Sequence, residues 1–232
     1  MNLLKLSTNV ALLTAVATTT TMAATKDDVG RRLKESATVL SEIMAASDKS
    51  IPQDLLEKSH CIVIVPGLKK GAFIVGGKYG KGFISCRRKG HDGWSAPGAV
   101  RIEGGSVGFQ IGGSESDVIL LVLNARGAER LLQSKFTVGA EGEVAAGPVG
   151  RDSTAQTDAK MTAEILSWSR SRGLFAGISL QGATLREDKD DNRFLYGQPM
   201  KNMDIVERWQ APTADARALL DLLKKYSPRE LQ

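Results

Sequence analysis

The residues best suited to chemistry are lysines and arginines set among glycines, in the stretch PGLKKGAFIVGGKYGKGFISCRRKG from Pro66 to Gly90. Ammonium and guanidinium groups bind phosphate oxygens, and glycines allow backbone N–H groups to approach the same oxygens. The candidate phosphate-binding residues, which we expect successive β-turns to gather into a single basic surface, are Lys69, Lys70, Lys78, Lys81, Arg87, Arg88 and Lys89. Between His60 and Arg101, eight basic residues stand against Asp92 alone, a net charge of +7, whereas the whole chain carries +5. This local excess predicts an anionic partner; the alternative is a solvated edge that keeps strands from aggregating.

Residues that could form a catalytic group are present, but their order does not fit a hydrolase. Ser106, in GGSVG, matches the G-x-S-x-G pattern of a nucleophile that requires a following helix and a later histidine. Instead FQIGG continues as a strand, and both histidines, His60 and His91, precede the serine. The acids after GPVG, Asp152 and Asp158, complete the candidates for an unrecognised enzyme. Because no nucleophile is paired with a base, we expect a protein that is not an enzyme.

Motifs for nucleotides, metals and nucleic acids are incomplete. In the run GGKYGKG at 76–82, three residues separate Gly76 from Gly80, where the Walker pattern needs four, and the run continues as a strand. Its glycines instead fit a turn between strands or a close approach of the backbone. The run DKDDN at 188–192 lacks the glycine and glutamate of a calcium loop, which predicts a polar turn. Two histidines and two cysteines form no metal centre, so we expect neither a metal nor a cofactor. Few aromatic residues accompany the basic ones, and no recognition motif is present, which predicts no nucleic-acid partner.

The first 23 residues have the pattern of an export signal. Lys5 precedes the short apolar run VALLTAVA, and Thr21-Met22-Ala23 forms a cleavage site, with Ala24 as an alternative. This run is too short to span a bilayer, and no later segment is long enough. Removal of the signal leaves one domain over 24–232. We therefore expect an exported protein, periplasmic or secreted, that associates peripherally with a membrane.

A helix is predicted directly after this signal, from Thr25 to Ala46. Its apolar residues recur at helical spacing and form one stripe: Val29, Leu33, Leu40, Ile43 and Met44. Thr25 and Asp28 fit an N-terminal cap. The stripe fits either a helix packed on the protein core or a helix that lies on a membrane with its apolar face down.

The rest of the chain predicts an antiparallel β-rich core. Short apolar or alternating runs, from CIVIVPG to LFAGISLQGATLRE, are separated by Gly, Pro and Asp, and the chain closes with the amphipathic helix TADARALLDLLKKY. We predict an α+β fold in which a sandwich or barrel-like core is flanked by N-terminal and C-terminal helices. Cys61 and Cys86 lie in strand-like runs. Export permits a disulfide between them, although a buried free thiol is the commoner state of such residues.

Four motifs occur in the order GAFIVGGKYGKG (71–82), AAGPVGR (145–151), SRSRGLFAGISLQG (169–182) and NRFLYG (192–197). Together they resemble the SYLF lipid-binding domain family, also called the Ysc-type actin-binding family, over nearly the whole chain after the signal. The resemblance implies a binding module that recognises phosphoinositides and other acidic phospholipids through an amphipathic N-terminal helix and basic residues. It also implies actin binding in some members and export in bacterial ones. Since an exported chain would not meet actin, we do not expect actin as a partner.

These observations predict non-enzymatic binding of acidic phospholipid head groups, such as phosphoinositides or phosphatidic acid, at a membrane surface. The basic residues would attract the phosphates, and the stripe of the first helix would contact the acyl boundary. The alternative is a cell-envelope scaffold or protein-interaction module without lipid binding, in which the first helix is simply core. The sequence leaves the lipid species and the oligomeric state open.

Overall fold

A computed structural model describes residues 25–46, 50–73, 75–87, 90–91, 93–107, 112–147, 163–171, 174–175 and 180–228. The export signal predicted over residues 1–23 lies outside the described residues, as do Asp152 and Asp158. None of the described helices combines the length and the apolar character that are needed to cross a bilayer.

The long strands come early in the chain, and the helices lie mainly at its two ends. The helices are α1 (Lys26–Ala45), α2 (Gln53–Lys58), α3 (Ala125–Leu131), α4 (Lys189–Tyr196), α5 (Asn202–Glu207) and α6 (Arg217–Tyr226), with a 3-10 helix at Ala214–Ala216. The strands are β1 (Cys61–Phe73), β2 (Val75–Cys86), β3 (Gly98–Val107), β4 (Gly112–Val122), β5 (Lys135–Thr137), β6 (Val144–Ala146), β7 (Ile165–Ser171), β8 (Leu174–Phe175) and β9 (Thr184–Glu187).

These strands join one sheet in the order β5-β9-β3-β2-β1-β4-β7-β6, and β8 pairs with β7 beside this path. Neighbouring strands are antiparallel except β6 and β7. The β1–β2 hairpin lies at the centre, with β3 on one side and β4 on the other. The predicted antiparallel arrangement is therefore confirmed for the long strands.

Both faces of the sheet are covered by an apolar core. On one face, residues such as Ile62 and Ile119 pack with α1, α2 and α6, which form the helical layer. On the other face, Val63 lies in a cluster with Ile165 of β7 and Leu185 of β9, which come from opposite sides of the sheet. Such a cluster requires the sheet to curl, so the second core fills a half-barrel. The predicted α+β fold with a barrel-like core and flanking helices is confirmed.

The apolar stripe of α1 is part of the first core. Thr25 caps the helix as predicted: its Oγ1 accepts from Asp28 N at 3.2 Å, and Asp28 Oδ2 accepts from Thr25 N at 3.1 Å. The stripe residues Val29, Leu33, Leu40 and Ile43 are fully buried, and Met44 is partly buried against the same core. The membrane-facing alternative for these residues is corrected, because a bilayer could reach them only if the core opened.

A bulge in β1 brings its neighbour β2 very close. Pro66 and Gly67 both lie opposite Asp117 of β4, and Gly67 takes a φ of +57°, which favours glycine. Beside the bulge, a Cβ on Gly82 would lie 2.0 Å from a carbonyl oxygen of β1, and one on Gly80 would lie 2.7 Å from a leucine methyl. Of the two roles predicted for these glycines, a turn and a close approach of the backbone, the structure has the second. β2 runs through GGKYGKG without a turn.

The hairpin is closed at both ends. At one end Cys61 and Cys86 are direct cross-strand partners and form a disulfide, which decides between the two predicted states of these cysteines. At the other end the last pair of the ladder joins Phe73 to Val75. We call these the disulfide end and the hairpin end.

The polar run at 188–192 starts a helix and does not form the turn that was predicted. Asp188 is the N-cap of α4, and its Oδ1 accepts from Asp191 N at 3.1 Å. Gly197 ends the helix in the left-handed conformation, with φ of +75°. The prediction was wrong because Asp and Asn, which favour turns, also favour the N-cap and first turn of a helix.

Candidate anion-binding site

Four strands continue past the helical layer and form what we call the projecting end. It comprises residues 69–73 of β1, 75–79 of β2, 103–107 of β3 and 112–115 of β4. Five residues of extended strand are about 16 Å long. One row across these strands lacks side chains, because glycines pair with one another at Gly105, Gly77, Gly71 and Gly113. All four glycines are exposed, so none of the helices that the structure describes covers the sheet here.

Two lysines face each other in the adjacent row. Lys70 and Lys78 are direct cross-strand partners. The alternation of side chains places both on the half-barrel side, where Leu68 lies in the second core. Lys78 is only 7% exposed. Burial lowers the pKa of Lys78, and the charge of Lys70 lowers this pKa further. Like charges in this arrangement destabilise a sheet, and an anion beside both ammonium groups would offset their repulsion.

Hydroxyl groups adjoin the two lysines. Ser114 is the partner of Lys70 on β4, and Ser116 lies two residues further on the same face. Hydroxyls can donate hydrogen bonds to phosphate oxygens. Among the described residues, this face of the projecting end carries no carboxylate. The opposite face carries Lys69 with Glu115 as its cross-strand partner. The half-barrel side is therefore the more positive of the two faces.

Lys81 was predicted to contact phosphate, but it belongs to a buried ion cluster. Its Nζ lies 2.8 Å from Asp188 Oδ2 and 2.9 Å from Asp191 Oδ1. Arg32 of α1 donates to the other oxygen of Asp191. Both aspartates are about 1% exposed. Lys81 thus joins the sheet to two helices, and its charge is neutralised by carboxylates that are distant in sequence.

Arg87 is also occupied within the fold. Its guanidinium lies 4.3 Å from the centre of the Trp94 ring and donates to the carbonyl oxygen of Ser227 at 2.6 Å. These contacts fix the C-terminal end of α6 to the disulfide end of the hairpin. Arg88 and Lys89 lie outside the described residues.

Of the predicted phosphate contacts, the structure brings together Lys69, Lys70 and Lys78 at the projecting end. They lie on strands, whereas we predicted that successive turns would gather them. Alternation along β2 separates Lys78 from Lys81, which is three residues away and faces the helices. The single basic surface inferred from the sequence is therefore smaller in the structure.

The cleft between α1 and the sheet contains charges of both signs. It is open, has a volume of about 990 Å³, and lies beside the projecting end. Arg31 pairs with Asp28 at 2.9 Å, and Arg170 pairs with both Asp117, at 2.9 Å, and Glu42. Because these ions neutralise one another, the cleft offers an anion less attraction than the two lysines on the half-barrel side.

The catalytic candidates are not assembled. Ser106 pairs with Gly76 at the projecting end, whereas the carbonyl of His60 accepts from the backbone N–H of Arg87 at the disulfide end. Ten residues of β2 separate these positions, about 33 Å. His91 stacks on Trp209 with ring centroids 4.4 Å apart. No cluster of three acidic, histidine or cysteine side chains suited to a metal occurs in the part of the chain that the structure describes.

Sequence reasoning missed the acids that decide which cations are available. Asp188 and Asp191 were assigned to a polar turn, yet they neutralise Lys81. The available signal was the N-cap pattern, an aspartate before a helix with acids in its first turn. That pattern would have placed the acids on a helix, but it could not have placed them beside a lysine from a distant strand.

Comparison with known proteins agrees with the motifs. A model of the Ysc84 family, described as Las17-binding protein actin regulator, matches residues 103–226, which is more than half of the chain. SH3 domain-containing YSC84-like protein 1 of Rattus norvegicus is 32% identical over 203 residues, which cover 84% of this chain and 59% of the relative. The Xenopus laevis protein of that name is 36% identical over 199 residues, with coverages of 85% and 58%.

A yeast relative extends the comparison. LAS seventeen-binding protein 3 of Saccharomyces cerevisiae is 33% identical over 183 residues, covering 73% of this chain and 39% of the relative. This chain therefore spans well under two thirds of the length of these relatives.

The expectation that actin is not a partner is wrong. It rested on the predicted export signal, whereas the matching family is described as an actin regulator and the yeast relative is named for binding Las17. These names belong to SH3-domain and binding proteins and describe no enzyme. The match of the family model over more than half of the chain agrees with the four sequence motifs, and the chain belongs to the Ysc84 family, whose domain is also called SYLF.

Proposed function

We propose that this chain binds the phosphate groups of acidic phospholipids at its projecting end and catalyses no reaction there. The observation that carries the proposal is the cross-strand placement of Lys70 and Lys78 on the half-barrel side, with Ser114 beside Lys70. A phosphate beside the two lysines would lie close to two positive charges, and ammonium groups form strong hydrogen bonds to phosphate oxygens. Lys69, on the opposite face, adds to the attraction of the whole end for an anionic surface.

The expected affinity is modest, since each basic residue close to an acidic bilayer contributes about 1 kcal/mol. Replacing both lysines, Lys70→Gln with Lys78→Gln, should therefore weaken binding to acidic vesicles about thirtyfold. The assay is co-sedimentation with phosphatidylcholine vesicles that contain or lack phosphatidic acid. Binding by the unmodified chain should need the acidic lipid and fall as salt is raised.

A matched control removes the same charge elsewhere. Lys224 and Lys225 are exposed on α6, in the helical layer. The double variant Lys224→Gln with Lys225→Gln should keep most of the binding. An equal loss in both double variants would contradict a local site and indicate a response to net charge alone.

Two further measurements distinguish a local lipid site from unfolding of the variants and from a site for free phosphate. Thermal unfolding of each variant checks that Lys78→Gln leaves the fold intact, and Lys70→Gln alone provides a variant at a less buried position. Competition by inorganic phosphate distinguishes a site for free phosphate from one that needs a lipid surface. Failure of the unmodified chain to bind acidic vesicles would favour the scaffold alternative.

The family description supports a second candidate, an actin-regulating partner. The relatives' names are its basis, and the chain spans only part of their length. Co-sedimentation of the purified chain with filamentous actin tests it directly. Recovery of the chain in the pellet only when filaments are present is the supporting result; its absence would place the actin-linked role in other parts of the relatives.

As an alternative to the actin-linked role, since an exported chain would not meet actin, we also propose that the chain is exported. The pattern of residues 1–23 supports this, as does the disulfide between Cys61 and Cys86, since disulfides persist mainly in oxidising compartments. The measurement is the N-terminal mass of the protein recovered from cells. A mature N-terminus after Ala23 or Ala24 supports export, and an intact Met1 contradicts it.

A further inference from the structure

We propose that β3, β9 and β5 carry a second basic surface, and that this surface binds an acidic polypeptide segment. We call it the cationic row and define it by Lys135 of β5, Arg186 of β9 and Arg101 of β3. None of these residues belongs to the projecting end, and the inference does not depend on lipid binding there.

The three cations are neighbours across the sheet. Lys135 is the cross-strand partner of Arg186, which is in turn the partner of Arg101. Phe136 and Leu185, next to the first two along their strands, lie in the second core. Because side chains alternate along a strand, the cations point away from the half-barrel. Adjacent strands lie about 5 Å apart, so the row presents three positive charges over about 10 Å.

One carboxylate is shared by the two arginines of the row. Glu103 Oε1 lies 2.6 Å from Arg186 Nε, and Glu103 Oε2 lies 3.4 Å from Arg101 Nε. Three positive charges against one negative charge leave an excess of two. Like charges that are direct cross-strand partners repel each other, and an anionic ligand would offset this repulsion.

The two ends of the row differ. At one end Lys81 of β2 is the partner of Arg101, and the aspartates of α4 neutralise it. At the other end Lys135 is exposed on a strand at the edge of the sheet. Glu141 lies near this edge, but its carboxylate accepts from the backbone N–H of Thr137. Negative charge on a ligand would therefore be attracted most strongly to the Lys135 end.

The surroundings of the row favour a polypeptide over a bilayer. The side chains of Arg186 and Arg101 are 40% and 32% exposed, so their charged groups lie low among neighbouring side chains. α4 begins three residues after Arg186 and stands on the same face, because its N-cap Asp188 contacts Lys81. A helix beside the row would keep a flat bilayer away, whereas an extended chain could lie next to the helix.

The dimensions and chemistry of the row fit carboxylates. Acidic side chains at positions i and i+2 of an extended peptide are about 7 Å apart, which is within the length of the row. Guanidinium groups can bind carboxylates through two parallel hydrogen bonds. Thr137 and Thr184 are cross-strand partners two residues from the row on the same face, and their hydroxyls can donate to a peptide backbone.

A binding measurement with a fluorescent oligoglutamate peptide tests this inference, with oligoglutamine of equal length as the uncharged control. The unmodified chain should bind oligoglutamate alone, and less tightly as salt is raised. The double variant Lys135→Gln with Arg186→Gln should bind about tenfold more weakly. Lys224→Gln with Lys225→Gln removes the same charge from α6 and should change the affinity less than about twofold. Equal losses in both double variants, or no binding by the unmodified chain, would overturn the inference.

Two further results do not depend on the stability of the double variant. Lys135→Arg keeps the charge at an exposed position and should keep the affinity within about twofold. Carbodiimide coupling joins a lysine amine to a peptide carboxylate, and mass spectrometry identifies the modified lysine. The peptide should be attached mainly to Lys135. Attachment mainly to Lys224 or Lys225 would contradict the proposed location.

Acidic vesicles separate this surface from the lipid site. Lys135→Gln with Arg186→Gln should bind vesicles containing phosphatidic acid as the unmodified chain does. Lys70→Gln with Lys78→Gln should change oligoglutamate binding less than about twofold. If the first variant lost vesicle binding and peptide binding together, the cationic row would belong to a membrane surface, and an acidic polypeptide would be the wrong occupant. If the unmodified chain bound oligoglutamate but no acidic vesicles, the lipid proposal would fail and the cationic row would stand.

Discussion

Gly82 and Gly71, on the paired strands β2 and β1, have different environments, and their substitution should have different results. A Cβ at Gly82 would lie 2.0 Å from a carbonyl oxygen of β1, whereas a Cβ at Gly71 would meet nothing within 4 Å. Gly82→Ala should therefore lower the free energy of unfolding by about 3 kcal/mol or more, because the backbones must separate. Gly71→Ala should change it by less than about 0.5 kcal/mol. Denaturant unfolding measures both, and equal losses would contradict the close approach at the bulge.

Neighbouring lysines of β2 show why residue type alone was a poor guide to binding. Lys78 and Lys81 have the same chemistry and nearly the same sequence surroundings. Side-chain alternation directs Lys78 to the half-barrel side and Lys81 to the helices, where two aspartates neutralise it. A count of positive charges in sequence could not distinguish them, because the acids come from residues more than a hundred positions later.

At the scale of elements, a substitution in α1 can test whether the apolar side chains of this helix belong to the protein core or contact a membrane. Leu40 is fully buried against the sheet and the helical layer. Leu40→Ala should lower the free energy of unfolding by about 2–5 kcal/mol, the usual result of a cavity in a packed core. The control is Lys34→Ala on the exposed face of the same helix, which should change it by less than about 0.5 kcal/mol. If Leu40→Ala had the same free energy of unfolding as the unmodified chain, α1 would be only loosely attached to the core.

The elements themselves were largely predictable. The period of apolar residues identified α1 and α6, and the Thr25 cap indicated the start of α1. Two local errors have physical causes. The glycines of β2 resembled a turn because their role, close approach to a bulged neighbour, depends on a pairing that a sequence does not display. The start of α4 resembled a turn because Asp and Asn favour both turns and helix N-caps.

At the scale of the whole molecule, one ion cluster connects α1, β2 and α4 through Arg32, Lys81, Asp188 and Asp191. Burial works to raise the pKa of Asp188, but hydrogen bonds from Lys81 and from the Asp191 backbone N–H, with the charge of Lys81, hold it below its ordinary value of 3.8. Burial works to lower the pKa of Lys81, and the two aspartates raise it above 10.5.

The pH dependence of stability follows from these directions. A carboxylate whose pKa is lowered by folding stabilises the fold at pH values above its ordinary pKa. A lysine whose pKa is raised by folding stabilises the fold at pH values below its ordinary pKa. The contribution should therefore be complete between about pH 4 and pH 10. It should be lost as the pH falls below the ordinary 3.8 of Asp188, and again as the pH rises beyond the ordinary 10.5 of Lys81.

Breaking the cluster should destabilise the molecule within that window. Lys81→Ala removes the salt bridge of buried Asp188 and leaves buried Asp191 with Arg32, so it should lower the free energy of unfolding by about 3–5 kcal/mol at pH 7. Lys58→Ala is the control, because Lys58 pairs with Asp54 at 3.6 Å on the exposed surface, where such pairs contribute less than about 1 kcal/mol. Unfolding measured at pH 7 and at pH 3 should show the Lys81→Ala difference shrinking in acid. A difference that did not depend on pH would contradict the ionic origin.

The sequence by itself determined the α+β class, the strand-rich centre, the first and last helices, and the family. Each of these depends on local periodicity, caps or motifs that a few neighbouring residues carry. Only the tertiary structure decided which charges remain available, that the first helix is core, and that four strands extend beyond the helical layer. Those outcomes depend on contacts between residues that are far apart in the chain. Neither the pairing of distant charges nor the curling of a sheet can be recognised from local composition.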